Sequence, residues 1–425
     1  MKKIGATNVK IIITFLSIGI IIGAVAVHFI SQKNYSTQNQ QAPDQNNKAN
    51  QQSQQTEQQN NNQNNQQSSN QRYAPGCEGT GSVRFISAIQ KMEDIDIIQP
   101  MGLMVGGHVT PIDHGYYYPP NWTDKATINN IHDVYSPASG VVTGVQSMPK
   151  EYSHSDIGDY RITIHHTCTF YTIYIHINQL APKLQEIVDI RTSHEPVRIE
   201  AGELIGKANS FDFSAHNDEI TLPGFIVPEH YAWESWKIHT VDPYDYYDEP
   251  LKSRLLAKIV RTAYPRGGKI DYDIDGKLIG NWFKENTGGY SGNKHGEYGY
   301  WSTHLAIVPD TLDPSHIIVS LGEFKGEAQQ FGIKGNSPNP ATVSKESNLI
   351  KYELVPYGYI VTATNQGWDN KHFAGPVTAK NTDDQIRGTI LLQLTEERKL
   401  KLEIFPDKTS SQVSGFTSNA QIYER

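Results

Sequence analysis

Histidine and aspartate gather in three short stretches of this 425-residue chain. Gly106 to Tyr118, GGHVTPIDHGYYY, holds His108, Asp113 and His114. Tyr174-Ile175-His176-Ile177 closes an alternating segment, and Ser210-Phe211-Asp212-Phe213-Ser214 carries one carboxylate. Farther on lies Lys237-Ile238-His239. Imidazoles and carboxylates are the donors that hold zinc, and a histidine beside a metal-bound water also serves as acid or base. Spacing limits what a regular strand could do with them, because side chains four apart share a face and side chains five apart oppose. His108 stands five residues before Asp113, so the two diverge unless a bulge near Pro111 realigns them. On the same regular strand His114 points away from Asp113.

The surrounding elements are legible. Arg161 to Ile177, RITIHHTCTFYTIYIHI, alternates as a buried strand, a short turn and a second strand. Val197 to Lys207, VRIEAGELIGK, places a Gly turn before an apolar hairpin arm, and Tyr135 to Val145 reads YSPASGVVTGV. Together these segments resemble the zinc metallopeptidases of the LytM/lysostaphin type, which share the duplicated hybrid motif fold. The family's "PADGVV" turn, "IDHGDGYTTLYAHL" hairpin and "VKKGQVIG" turn occur here in that order, and the resemblance runs from Met104 to Asp248.

That resemblance implies an antiparallel β domain with zinc held by the His and Asp of "HxxxD" and the second His of "HxH". Asp113 fits the family's Asp, with His108 one residue out of step and His114 adjacent. His176 occupies the "YAHL" position, whose His assists beside the metal-bound water. The "HxH" strand departs, since Ser210 and Asp212 stand at its two His positions. Asp212 could still ligate; Ser210 cannot replace an imidazole. A second alignment through Lys237-Ile238-His239 keeps His239 as ligand, puts Lys in the catalytic place and leaves little chain before Pro243. Either way a catalytic member is missing. The expectation is a degenerate LytM-like domain, without cofactor, acting as a binding or scaffolding module for a cell-envelope glycan, peptide or protein. The alternative is an active zinc metalloendopeptidase whose site draws on His108, Asp113, His114, Asp212 or His239, and His176.

The rest of the chain sets the context. Residues 1–10 read as a cytoplasmic tail, 11–30 as an uncleaved transmembrane helix and 31–72 as a disordered Gln/Asn-rich linker. As a flexible coil that linker spans about 30–35 Å. The expected place is the cell membrane, single-pass, with everything after it extracytoplasmic; a cleaved signal peptide is the other reading of the apolar run. In that compartment the two cysteines, Cys77 and Cys168, are candidates for a disulfide. A net charge of −8 without a basic stripe argues against nucleic acid.

Residues 73–250 form the LytM-like unit and 265–425 a separate all-β barrel or sandwich. Short helices are expected at Ile86 to Asp94, Leu184 to Ile190 and Leu251 to Thr262. Lys269 to Phe283 reads as a hairpin around Asp275-Gly276, and Thr389 to Phe405 as another. Gly280-Asn281-Trp282 resembles the opening of lipocalin-like barrels, though a core Trp after a Gly is the preferred account of these three residues. Tyr116, Tyr117 and Tyr118 offer either an aromatic platform or a strand end. His132-Asp133 and His216-Asn217-Asp218-Glu219 read as solvated loop clusters.

Overall fold

The computed structural model describes residues 74–153, 155–189 and 196–425. The expected tail, transmembrane helix and linker lie outside the described residues. Among the described residues no helix is long and apolar enough to cross a membrane.

The first half is built on strands β1 (Ile97–Gln99), β2 (Gly115–Tyr118), β3 (His132–Tyr135), β4 (Gly140–Ser147), β5 (Tyr160–His165), β6 (Phe170–Ile177), β7 (Gln179–Leu180), β8 (Val197–Ile199), β9 (Leu204–Ala208), β10 (Phe211–Asn217) and β11 (Thr240–Val241). One antiparallel sheet runs β1-β2-β10-β6-β5-β4-β8, with β11 against β10, and a smaller sheet runs β3-β9-β7. Alternation explains the layering. Ile162, Ile164, Phe170, Tyr174, Phe211, Phe213 and Ala215 of the large sheet meet Val134, Ile205 and Ala208 of the small one in one apolar core. The intervening positions Arg161, Tyr171, Ile173, Asp212, Ser214 and His216 therefore share the opposite face.

The chain's second half closes a barrel. Strands β12 (Gly280–Lys284), β13 (His304–Pro309), β14 (Ile317–Phe324), β15 (Glu327–Ile333) and β16 (Ile350–Val355) are followed by an inserted sheet of β17 (Tyr357–Val361), β18 (Gln366–Gly367) and β19 (Val377–Asn381). Strands β20 (Gly388–Glu396), β21 (Lys399–Pro406) and β22 (Gln421–Glu424) then complete it, β22 pairing with β12. Closure removes the free strand edges that an open sheet would expose. Trp282 is fully buried in its core, donates from Nε1 to the Leu278 carbonyl at 2.9 Å, and lies 3.9 Å beneath the Arg425 guanidinium. The hairpin expected at Thr389 to Phe405 is β20–β21. The inserted sheet leans on the first half, with Trp368 and Val377 packed among Ile97, Ile112, Tyr116 and Tyr118.

Several local expectations need correction. Among the described residues α-helix forms only over Pro182–Gln185 and Leu251–Leu256, and Met92–Asp94 makes a single 3-10 turn. The Leu251 helix stops early because its next residues pair with β1, where Ile98 N–H donates to the Lys258 carbonyl at 2.9 Å. No strand precedes Gly280 in the expected Asp275-Gly276 hairpin. Asp273 instead accepts from the Asn281 N–H at 2.7 Å and pairs with Arg425 at 3.2 Å, which holds residues 273–281 as a loop against the barrel. Tyr116, Tyr117 and Tyr118 do form a strand, but all three are buried. They make no exposed platform. His132 and Asp133 lie on β3, with His132 Nδ1 3.0 Å from Asp94, and His216 is wholly buried in β10. Of the expected loop clusters only Asp218 and Glu219 lie beyond a strand end.

Candidate functional site

Strand register brings the distant carboxylates and imidazoles together. β10 lies between β2 and β6, so Asp212 stands opposite both Tyr116 and Ile175. Two residues before Tyr116 is His114; one after Ile175 is His176. At this point β6 carries a bulge: Ile162 pairs with Tyr174 but Tyr160 pairs with Ile177. The extra residue is absorbed at His176, whose φ is +70°, a left-handed conformation uncommon outside Gly that His adopts more readily than most. The bulge turns His176 off the core face and onto the same side as Asp212.

The cluster is tight and buried; Asp113, His114, His176 and Asp212 are each no more than 9% exposed. His114 Nε2 lies 3.3 Å and His176 Nε2 3.7 Å from the same Asp212 Oδ2. Each imidazole has a carboxylate behind its other nitrogen. His114 Nδ1 is 3.1 Å from Asp113, and His176 Nδ1 is 3.1 Å from Asp159. A carboxylate behind Nδ1 sets the tautomer so that Nε2 presents a lone pair forward. His114 Nε2 and Asp212 Oδ2 are buried without a hydrogen bond. His108 is buried beside them, its ring 5.7 Å from that of His114.

Asp113 does not behave as the family pattern implies. Its Oδ2 accepts from Trp236 Nε1 at 2.9 Å and its Oδ1 lies 3.8 Å from Lys237 Nζ. Asp113 and His114 precede β2 rather than sit within a strand, so their side chains converge instead of diverging as a regular strand requires. Burial alone would raise the Asp113 carboxyl, but Lys237 and His114 outweigh it and hold the group well below the usual carboxylate range. Asp212 goes the other way: burial raises it, against the opposing pull of His114 and His176. For His176, burial lowers the imidazole but Asp212 and Asp159 more than compensate, and it is raised.

Histidine 239 takes no part. Its Nδ1 lies 2.7 Å from the Ile220 carbonyl, away from the cluster. Strand spacing also missed Asp159, Arg161, Trp236 and Glu234 as members, and offered Lys237 only in the catalytic place of the second alignment. Lys237 is fully buried, 4.9 Å over the Tyr290 ring. It belongs to the 3-10 stretch Pro228–His239, which kinks at Glu234 and lies across the polar face of the large sheet. The signal available beforehand was the run of Trp, Glu and Lys at 233–237, too polar for a core segment and too aromatic for a plain loop.

Burial has measurable consequences here. It pushes Glu234 up to about 8 and presses His216 down to about 4. A raised carboxyl contributes stability that is fully present below its unfolded value and lost as pH rises through the folded one. Glu234→Gln should therefore leave the melting temperature nearly unchanged at pH 5 and raise it relative to the parent at pH 9. Parallel melts across that range check the sign. A variant less stable at pH 9 would show that Glu234 is charged and paired in the fold.

Two imidazoles and a carboxylate are zinc-type donors, and the carboxylates behind them fit that chemistry. Yet among the described residues no three His, Cys, Asp or Glu side chains surround one point closely enough to hold an ion. The donors fit by type, and the described geometry offers pairs rather than an enclosing set.

No family model and no curated protein matches the chain. Among solved structures it is similar to Helicobacter pylori Csd3, with 12% identity and a TM-score of 0.23 over 39% of this chain and 35% of that one. It is also similar to the SpoIIQ–SpoIIIAH pore-forming complex, with 12% identity and a TM-score of 0.25 over 40% of this chain and 96% of that one. A zinc-containing peptidase from Vibrio cholerae aligns at 15% identity and a TM-score of 0.19, over 31% of this chain and 38% of that one. The chain thus spans little more than a third of the length of Csd3 and of the Vibrio peptidase.

Proposed function

We propose that this chain is a membrane-tethered, extracytoplasmic envelope protein whose LytM-like domain works by binding and scaffolding rather than by cutting peptides. The observation that carries this reading is the filling of the polar sheet face by the chain itself. Lys237 brings a buried ammonium to Asp113, and Trp236 takes that carboxylate's other oxygen. Trp301, in the 3-10 turn Tyr300–Thr303 before β13, packs together with Ile175 against Met148 and Tyr152. Gly107 lies so close to that indole that a Cβ there would meet it at 2.8 Å. A substrate bond would have to displace these groups to reach His114, Asp212 or His176. The tether rests on the apolar run at 11–30.

A second reading, zinc-dependent hydrolysis, is favoured by one observation: His114 Nε2 and Asp212 Oδ2 face each other without a hydrogen bond. His114, Asp212 and His176 are the residues that would hold the ion, oriented by Asp113 and Asp159. Bound there, zinc would supply a Lewis acid and lower the pKa of a coordinated water.

Metal analysis of the intact purified chain separates the two. The scaffold reading expects much less than one zinc per chain and no chelator-sensitive cleavage of any peptide. One zinc per chain, lost in Asp212→Ala together with such cleavage, would overturn it.

A further inference from the structure

Among the described residues Arg161 is a buried cation with no hydrogen-bonded or ion-paired anion, and Glu234 and Asp113 act on it only at longer range. It lies on β5 opposite Gln146 of β4, on the polar face of the large sheet, and is only 6% exposed. Its guanidinium stacks 4.7 Å from the Trp236 ring. Nε is buried without a hydrogen-bond partner. Among the described residues the Arg161 side chain makes no hydrogen bond and no ion pair. The nearest anions are committed or discharged: Asp113 serves Trp236, His114 and Lys237, and burial keeps Glu234 protonated to about pH 8. An uncompensated buried charge is strongly destabilising, so a site that keeps one invites an anion from outside.

Arg161 also lines a groove of about 770 Å³ between the polar sheet face, the 228–239 stretch and the loop at 288–295. That volume is typical of small-ligand sites. Thr143, Thr163, His165, Ser235 and Ser291 add hydroxyls and an imidazole along its walls, while half-buried Asp218 and exposed Glu229 stand among its lining residues. Those two acids oppose a highly charged anion and tolerate a single negative group held deep by Arg161. Stacking on Trp236 fixes the plane of the guanidinium, and its fork matches a carboxylate through two parallel hydrogen bonds.

We infer that this groove is a carboxylate-binding site anchored by Arg161, taking an elongated polar ligand with one carboxylate and hydroxyl or amide groups beside it. The assignment rests on reading the domain as a binding module and names the chemistry that module recognises. A peptide C-terminus and an acidic sugar both present that chemistry.

The test is calorimetric titration of the intact chain with two acid probes, each beside a neutral counterpart. One pair is tetra-alanine as the free acid and as the C-terminal amide. The other is a glucuronate-bearing trisaccharide and its neutral analogue. At least one acid should bind, its neutral counterpart at least tenfold more weakly, and Arg161→Met should weaken the acid tenfold or more. Whichever acid binds identifies the source. Arg161→Met should also melt, without ligand, no lower than the parent, because it removes a buried charge that no anion of the described residues pairs while keeping an apolar side chain against Trp236. A melting temperature several degrees lower in that variant, equal binding of acid and neutral probes, or no binding of either acid would each overturn the assignment. Binding of inorganic phosphate alone would overturn it too.

Cleavage assayed on the same samples keeps the two claims apart. Arg161-dependent binding together with peptide hydrolysis would sustain the groove assignment and remove the scaffold reading. Absence of both would do the reverse.

Discussion

Asp113→Ala should destabilise the protein by about 3–5 kcal/mol, the usual result of removing one partner from a buried charge pair. Three groups depend on this carboxylate: Lys237 Nζ at 3.8 Å, Trp236 Nε1 at 2.9 Å and His114 Nδ1 at 3.1 Å. Lys237 is fully buried, so it cannot turn to water when the anion disappears. Asp113→Asn keeps the shape and an acceptor for Trp236, and should lose less. In thermal melts the alanine variant should fall by roughly 6–20 °C, given about 2–4 °C per kcal/mol for domains of this size. His239→Ala, which loses the contact with the Ile220 carbonyl away from the cluster, should shift the melt little. The pH sense follows from the lowered Asp113 carboxyl. Its stabilising contribution is present above the unfolded value and lost as pH falls through the folded one. An alanine variant that melts like the parent at pH 7 would mean the Lys237–Asp113 pair is not formed.

The second large effect is redox. Cys77 and Cys168 are joined, 91 residues apart, with Cα atoms 5.0 Å from each other. The bond pins the start of the described chain to the β5–β6 turn. Around it Thr167 Oγ1 donates to the Gly81 carbonyl at 2.7 Å and Gly81 N–H donates to Glu219 at 2.8 Å. Closing so long a loop in the unfolded chain corresponds to about 4–5 kcal/mol in the chain-entropy model. The double variant Cys77→Ser, Cys168→Ser should therefore lower the denaturant midpoint clearly, and reductant should do the same to the parent while leaving the variant unchanged. Equal midpoints with and without reductant would sink the claim that this crosslink stabilises the fold.

Some of this was readable before any tertiary structure. Alternation at 161–177 fixes which side chains of that hairpin face the core, because a strand has a strict period of two. The same rule located the β20–β21 hairpin of the barrel. It misled where polar side chains took over the backbone: Asp273 and Arg425 turned an expected hairpin into a loop, and a pairing with β1 ended the Leu251 helix after two turns. Spacing also failed at Asp113 and His114. The rule of opposed neighbours holds only inside a regular strand, and these two residues lie before one.

What the amino-acid order decided by itself is therefore local: the strands, their apolar faces, and the stock of imidazoles and carboxylates available for a site. Which of those meet was decided by register and by segments distant in sequence. A bulge at His176 and the seat of β10 between β2 and β6 set Asp212 among histidines, while the 228–239 stretch carried Trp236 and Lys237 onto Asp113 and left Arg161 without an anion. Such pairings depend on which strands lie side by side, and the periodicity of a single strand carries no information about its neighbours.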